Sequence, residues 1–329
     1  MAARDDSLMD AAMAAAATAR LRTAPNPWVG AAIELADGSI VTGATQPPGG
    51  NHAEIEALQA AGDAARGATI ATTLEPCSHV GRTGPCTAAL IEAGIERVII
   101  GVEDPDPNVA GTGVTALRDA GIEVIVGIHH DRIAEQLRPY LHHRRTGRPW
   151  VVAKMAATLD GRTAAPDRTS QWISSIESRT DTHRLRAESQ AILVGAGTVR
   201  ADDPSLTVRL VDGPDPQRVV LGTAPEGAKV HPCLEWRGDL DDLLDHLGGE
   251  GVLQLMIEGG AVTVAQFLDA GLIDRLVVYL APALFGGDDA RPMFLGDGVG
   301  TIDDLRRGRF VSVERVGVDL RLEYEPNRG

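Results

Sequence analysis

The residues of this sequence best suited to chemistry are His52-Ala53-Glu54, Pro76-Cys77 and Cys86. One imidazole and two thiols make a soft-to-borderline ligand set that suits zinc. Three protein ligands leave the fourth position of a catalytic zinc site to water. Glu54, two residues after the histidine, offers a carboxylate that can move protons to and from that water. Only three cysteines occur in the chain, and two of them fall here. No fourth Cys or His sits at the spacing of a closed structural zinc site. His79 is near, but it follows Ser78 in a Gly-rich loop and is better placed for a substrate.

His-x-Glu followed by Pro-Cys-x-x-Cys is the signature of zinc-dependent deaminases. The chain matches it except that Cys86 lies nine positions after Cys77 rather than three. A zinc ion held this way lowers the pKa of its water from roughly 16 to about 7, so that attack on an amine-bearing ring carbon is feasible near neutral pH. Many such enzymes act on nucleic acid, and composition argues against that here. The net charge is −15, whereas a nucleic-acid surface is basic. Aromatic residues make up 3% of the chain, which leaves few rings for stacking bases. A small-molecule substrate is therefore expected.

The elements that must position these residues follow from the pattern. Residues 5–22 read as a helix with Asp5 or Asp6 as cap and Arg20 and Arg22 at its C-terminal end. Strands are expected at 29–35 and 40–44, joined by an Asp37-Gly38 turn, and again at 68–73, 97–102 and 122–127. Helices are expected at 52–62 (Asn51 as N-cap), 84–94 (Gly94 as C-cap), 113–120 and 130–144. His52, Glu54 and Cys86 then lie in first turns, where the helix dipole favours a thiolate. The order β-β-α-β-α-β-α-β predicts a mixed sheet with helices on both faces.

At 329 residues two domains are expected, and the pattern restarts after the basic stretch His143-Arg144-Arg145-Thr146-Gly147-Arg148-Pro149. Domains of 1–146 and 147–329 result, with the basic run read as a solvated helix end. In the second half, strands are expected at 150–155, 191–195, 218–222, 253–258 and 276–280. Helices are expected at 175–188 (Ser174 as N-cap) and 261–270, and a hairpin at 310–325 hinged at Gly317. This is an α/β domain with an antiparallel end. Glu258-Gly259-Gly260 and Gly195-Ala196-Gly197-Thr198-Val199 are small-residue turns after strands. They could admit an extended phosphorylated ligand, or they could be tight turns alone. Neither is a Gly-x-Gly-x-x-Gly fingerprint. Asp160-Gly161 reads as turn chemistry, Trp172 as core, and Arg186 and Arg209 as surface residues unless a phosphate lies between them.

Cys233 has no partner cysteine once the other two hold metal, which implies a reducing compartment. Asp5, Asp6 and Asp10 precede the alanine-rich run, where a secretory signal would be basic. No apolar stretch has the length of a membrane span. A cytoplasmic, soluble protein without membrane or nucleic-acid partners is expected.

Taken together, these motifs resemble those of one family, the bifunctional riboflavin-biosynthesis deaminase/reductases. The resemblance runs through Pro25-Asn26-Pro27, His52-Ala53-Glu54, Thr73-Leu74-Glu75-Pro76-Cys77-Ser78-His79, Gly81-Arg82-Thr83 and Pro85-Cys86. It continues in Asp104-Pro105, Leu159-Asp160-Gly161-Arg162, Ser170-Gln171-Trp172-Ile173, Leu185-Arg186, Asp202-Asp203-Pro204 with Leu206 to Arg209, and Glu258-Gly259-Gly260. The long Cys77–Cys86 spacing is what this family has.

The resemblance implies a cytidine-deaminase-like mixed sheet followed by a dihydrofolate-reductase-like α/β domain, with Zn2+ and NADPH as cofactors, in a homo-oligomer. It implies zinc on His52, Cys77 and Cys86 and proton transfer by Glu54. Asn26, His79, Arg82 and Asp104 fall at deaminase substrate positions. Ala156, Trp172, Thr198, Asp202 and Gly260 fall at NADP positions, and Ser170, Arg186, Leu206, Arg209 and Glu258 at reductase substrate positions. Two departures stand out. Asp106 replaces the usual Asn and is given no substrate role, and the segment between Arg209 and Arg218 is short. Two rival readings compete with this one: a nucleic-acid deaminase with an appended domain, and a zinc-binding regulatory module without catalysis.

Overall fold

The computed structural model describes residues 2–78, 84–107 and 109–327. The chain divides into two compact units, Met1–Arg148 and Pro149–Gly329.

The first unit begins with helix α1 (Ala2–Ala19), strands β1 (Gly30–Glu34) and β2 (Ile40–Ala44), and helix α2 (Ala53–Ala61) with a 3-10 turn, Gly62–Ala65. Then come β3 (Thr69–Leu74), α3 (Cys86–Ala93), β4 (Arg97–Val102), α4 (Thr112–Asp119), β5 (Glu123–Val126), α5 (His130–Gln136) and α6 (Arg138–Thr146). The sheet order is β2-β1-β3-β4-β5, antiparallel at β2-β1-β3 and parallel beyond. The expected order of strands and helices is therefore observed. Two glycines explain the tight layering. A Cβ on Gly30 would stand 1.9 Å from the Ala12 carbonyl oxygen of α1, and one on Gly43 would stand 2.2 Å from that of Ala53 in α2. Ala31 pairs with Gly43, so Gly30 and Gly43 face opposite sides of the pleat. The alanine-rich helix and the helix that follows His52 thus cover opposite faces.

Several local expectations are corrected. Asp5 does not cap α1. It is buried and takes a bidentate ion pair from Arg97 at 2.7 and 2.8 Å. Arg20 and Arg22 lie beyond the helix end at Ala19. Asn51 is not the cap of α2. His52 holds that position, and Asn51 Nδ2 donates to Glu56 at 2.8 Å. The single helix expected over 130–144 is two, broken at Leu137 just before Pro139, which lacks an N–H to continue the ladder.

The second unit contains β6 (Trp150–Thr158), β7 (Arg162–Ala164), α7 (Ile176–Glu188), β8 (Ala191–Gly195), α8 (Ala196–Asp202), β9 (Gln217–Leu221), β10 (Leu234–Trp236) and α9 (Leu240–Gly249). These are followed by β11 (Gln254–Ile257), α10 (Ala261–Asp269), β12 (Arg275–Ala281), β13 (Arg291–Pro292), β14 (Gly308–Val316) and β15 (Asp319–Pro326). Its eight-stranded sheet runs β10-β9-β8-β11-β6-β12-β15-β14, parallel as far as β12 and antiparallel after it. β7 and β13 form a separate ribbon. Ser175, not Ser174, caps α7, and its Oγ accepts the Ser178 N–H at 3.3 Å. Helix α9 was not expected from the sequence. Its Leu243, Leu244 and Leu247 are buried against Val151, Leu193 and Leu255 with Phe267 of α10. Among the described residues, no helix is long and apolar enough to cross a membrane.

Candidate functional site

In the first unit, three elements converge on one point. His52 precedes α2, Cys77 follows β3 after Glu75-Pro76, and Cys86 opens α3. His52 Nδ1 lies 3.6 Å from Cys77 Sγ and 3.3 Å from Cys86 Sγ. Nitrogen and sulfur ligands bound to one zinc ion at about 2.0 and 2.3 Å in tetrahedral geometry stand about 3.5 Å apart. The donor set and its spacing fit zinc, and this is the one such cluster among the described residues. Cys86 is buried, while His52, Glu54 and Cys77 line a cavity of about 440 Å³. The open side of the cluster therefore faces a space large enough for substrate.

The electrostatics single out one thiolate of the cysteine pair. The contact with Cys86, and then His52, pulls the Cys77 thiol well below the ordinary thiol range. The same contact pushes Cys86 up. The Cys86 backbone N–H also points at Cys77 Sγ, at 3.4 Å. Burial pushes the Glu54 carboxyl up to about 7. At that value the group can both hold and release a proton near neutral pH.

The rest of this cavity includes Asn26 and Asp104, as the resemblance implied. Asp106 lines it too. His79 and Arg82 lie outside the described residues. Two residues that sequence reasoning did not single out are structural to the site. Glu75 is buried, and its carboxylate accepts the backbone N–H groups of Asp104, Gly111, Gly113 and Val114 at 2.9–3.2 Å. It ties the Asp104 loop and the start of α4 to the Cys77 strand. Tyr140 donates its hydroxyl to Asp104 Oδ2 at 2.9 Å. A charged residue ending an apolar strand was the available signal for Glu75; Tyr140 offered none.

In the second unit two cavities adjoin. The larger, about 960 Å³, is lined by Thr198, Asp202 and Gly260. The other, about 450 Å³, is lined by Lys154, Ala156, Trp172, Arg186, Arg209 and Glu258. Thr163 and Ser170 belong to both walls. Leu206 belongs to neither. Its side chain is buried in the core with Ile192 and Val199, at a positive φ of 54°.

Two readings of single residues are corrected here. Trp172 is not core: it is 68% exposed, with the Arg179 guanidinium 4.4 Å from its ring centre. Arg186 is not a surface residue. It is buried and grips Glu258 through two bonds of 2.8 Å, with a third to the Thr207 carbonyl at 2.9 Å. Burial alone would raise Glu258, but Arg186 and Lys154 outweigh it and hold the carboxyl at about 2. Arg209 donates to the Ser205 and Thr207 hydroxyls at 2.6 Å, and its backbone N–H donates to His183 Nδ1 at 2.9 Å. His183 was not anticipated; burial, then Arg186 and Arg209, lower it to about 4. Asp160 and Arg162 brace the loop after β12, as Asp160 accepts the Gly286 N–H and Arg162 donates to the Gly287 and Ala290 carbonyls.

A zinc-site α/β unit followed by a nucleotide-sized cleft in a largely parallel sheet defines a two-part enzyme of deaminase and reductase type. Residues 2–102 match the cytidine and deoxycytidylate deaminase zinc-binding region, and residues 149–322 match the RibD C-terminal domain. The chain is 44% identical to the riboflavin biosynthesis protein RibD of Mycobacterium tuberculosis, over 91% of each chain. Its fold superposes on RibD of Acinetobacter baumannii with a TM-score of 0.93 at 36% identity, covering all of both chains. It also superposes on the diaminohydroxyphosphoribosylaminopyrimidine deaminase/5-amino-6-(5-phosphoribosylamino)uracil reductase of Thermotoga maritima, with a TM-score of 0.88 at 32% identity over 99% of each. The chain belongs to the bifunctional riboflavin-biosynthesis deaminase/reductase family.

Membership and geometry lead to one expected result. Cys86→Ser should lose bound zinc, measured by metal analysis of the purified protein, and lose ammonia release. The second unit's NADPH oxidation on deaminated substrate should persist. Retention of zinc by this variant would remove Cys86 from the ligand set.

Proposed function

We propose that the first unit hydrolyses the amine from 2,5-diamino-6-(5-phosphoribosylamino)pyrimidin-4(3H)-one, and that the second reduces the product's ribosyl group to ribityl with NADPH. The observation that carries this reading is the His52-Cys77-Cys86 cluster opening, beside Glu54, into a substrate-sized cavity.

His52, Cys77 and Cys86 hold the zinc, which when bound supplies a water that is nucleophilic at neutral pH. Glu54 passes the first proton of the attacking water to the ring nitrogen, then takes the second from the hydroxyl of the addition product and delivers it to the amine, which leaves as ammonia. Burial raises its carboxyl to about 7, so the group can both accept and release a proton near neutral pH. Asn26 and Asp104 orient the pyrimidine, with His79 and Arg82 as further substrate contacts. Glu75 and Tyr140 hold Asp104 in place.

In the second unit NADPH supplies the hydride, so the protein's task is positioning. Thr198, Asp202 and Gly260 of the larger cleft, with Ala156 and Trp172 of the adjoining cavity, would hold the cofactor. Ser170 lines both cavities, at the place where cofactor and substrate would meet. Arg186, Arg209 and Glu258 bind the phosphoribosyl substrate; Leu206 contributes backbone and packing rather than a side-chain contact. Lys154, 3.5 Å from Glu258, lines the same wall.

A reducing, cytoplasmic setting is supported by thiols that serve as ligands rather than forming a disulfide. Homo-oligomer formation is supported by the edge strand β14, whose Phe310 and Val313 are exposed. The decisive experiment supplies the diaminopyrimidine ribotide with and without NADPH. Ammonia should appear in both cases, and loss of the reduced-nicotinamide absorbance should depend on prior ammonia release. Oxidation of NADPH without deamination would contradict the order of steps.

A further inference from the structure

Three guanidinium groups line the larger cleft of the second unit: Arg168, Arg200 and Arg291. None of them has an ion pair or a side-chain hydrogen bond with a described residue. Asp202 is the one carboxylate on this wall. Concentrating cations in one cleft of a chain with net charge −15 points to a polyanionic ligand. NADPH differs from NADH only by the phosphate on its adenosine ribose, so the position of each arginine along the cleft decides which phosphate it meets.

The sheet order sets that position. The reactive end of the dinucleotide must lie at Thr163 and Ser170, where this cleft joins the cavity of Lys154 and Glu258. Both residues follow β6, whose Met155 is also on the wall. The Gly259-Gly260 turn after β11, one strand over, lies midway and offers the N–H groups of α10 to the pyrophosphate. The far wall is Gly222-Thr223 after β9, two strands beyond β11. From β6 to β9 is three strand spacings, about 14 Å, a distance suited to an extended dinucleotide. Arg200 belongs to that far end. It sits in α8, whose first residue, Ala196, has its Cβ only 3.1 Å from where a side chain on Gly222 would begin. Arg291 pairs with Ala164 on the ribbon, and Arg168 follows β7 closely, so both belong to the near end.

We propose that Arg200 reads the 2′-phosphate of the adenosine ribose and so selects NADPH over NADH. The proposal rests on the reading above that this cleft holds the nicotinamide dinucleotide. Arg200 is exposed and has no ion pair with a described residue, so replacing it leaves the core intact.

The test is calorimetric titration of the full-length zinc-loaded protein with NADPH and with NADH, as wild type, Arg200→Ala and Arg200→Lys. A charge-assisted contact corresponds to about tenfold to a hundredfold in affinity. Arg200→Ala should weaken NADPH by that factor and leave NADH unchanged, and Arg200→Lys should keep part of the preference. An unchanged NADPH-to-NADH ratio in Arg200→Ala, or an equal loss of both nucleotides, overturns the role of Arg200 while the cofactor cleft stands. Loss of selectivity on Arg168→Ala or Arg291→Ala, with Arg200→Ala unaffected, moves the phosphate to the ribbon and also overturns it. Failure of the wild type to bind either nucleotide overturns the cleft assignment and this proposal together.

Discussion

Replacing Glu54 by Gln should abolish ammonia release while leaving both zinc content and the reductase step intact. Gln has nearly the shape of Glu but cannot act as an acid or base near neutral pH, and the buried position that raises Glu54 to about 7 is the one suited to proton transfer. Loss of a positioned acid/base group lowers the rate by about 10²- to 10⁴-fold. His52, Cys77 and Cys86 are untouched, so metal analysis should match the wild type. NADPH oxidation should proceed at the normal rate when chemically deaminated substrate is supplied. Ammonia release within a fewfold of the wild type would mean that another group moves the proton. Loss of zinc in the variant would mean that Glu54 acts on the metal site's integrity instead.

The second large effect is expected at Arg186. Its side chain and that of Glu258 are about 10% and 16% exposed, and they are joined by two short bonds. Removing Arg186 leaves the buried Glu258 carboxylate with Lys154 at 3.5 Å, and loss of one partner of a buried pair costs about 3–5 kcal/mol. Arg186→Ala should therefore lower the stability of the second unit by that amount, read from its denaturant transition, and abolish NADPH oxidation. Arg186→Ala with Glu258→Gln should recover part of the stability but none of the activity, which separates folding from substrate binding. The pair also sets an acid limit. Glu258 titrates at about 2 when folded, below its ordinary value of 4.5. Its contribution to stability is fully present above pH 4.5 and is lost as the pH falls through 2. Lys154 shares the carboxylate, so Arg186→Ala should leave a residue of this acid dependence. An unaltered transition in Arg186→Ala would show that the pair contributes nothing net.

Some of this was legible from residues alone because the information is local. His52 and Glu54 are two positions apart, and a helix beginning there fixes their relation. Strand β3 and helix α3 are each announced by their own pattern, so Cys77 and Cys86 could be assigned to an end and a beginning. The glycine turns at Gly195 and Gly260 were readable for the same reason, and both border the larger cleft. Trp172 and Arg186 were misread because burial is not a local property. An aromatic residue is usually inside and an arginine usually outside, and here the loop position of the first and the partner of the second reverse both. Glu75 and Tyr140 were passed over because their partners, Asp104 and the start of α4, are some thirty residues away. Helix α9 escaped because its acidic, glycine-ended sequence resembles a solvated loop until three leucines meet the sheet.

The sequence by itself determined which atoms can bind metal, which carboxylate stands beside them, and which kind of sheet carries each half. These depend on side-chain chemistry and on short-range periodicity. Only the tertiary structure decided that Arg186 neutralises Glu258, that Leu206 is core, and that Arg200 and Ser170 lie along one cleft. Those facts depend on strand order, β9-β8-β11-β6, which brings together residues far apart in the chain. Strand order is set by how whole layers bury their apolar faces, and no short stretch of sequence contains that information.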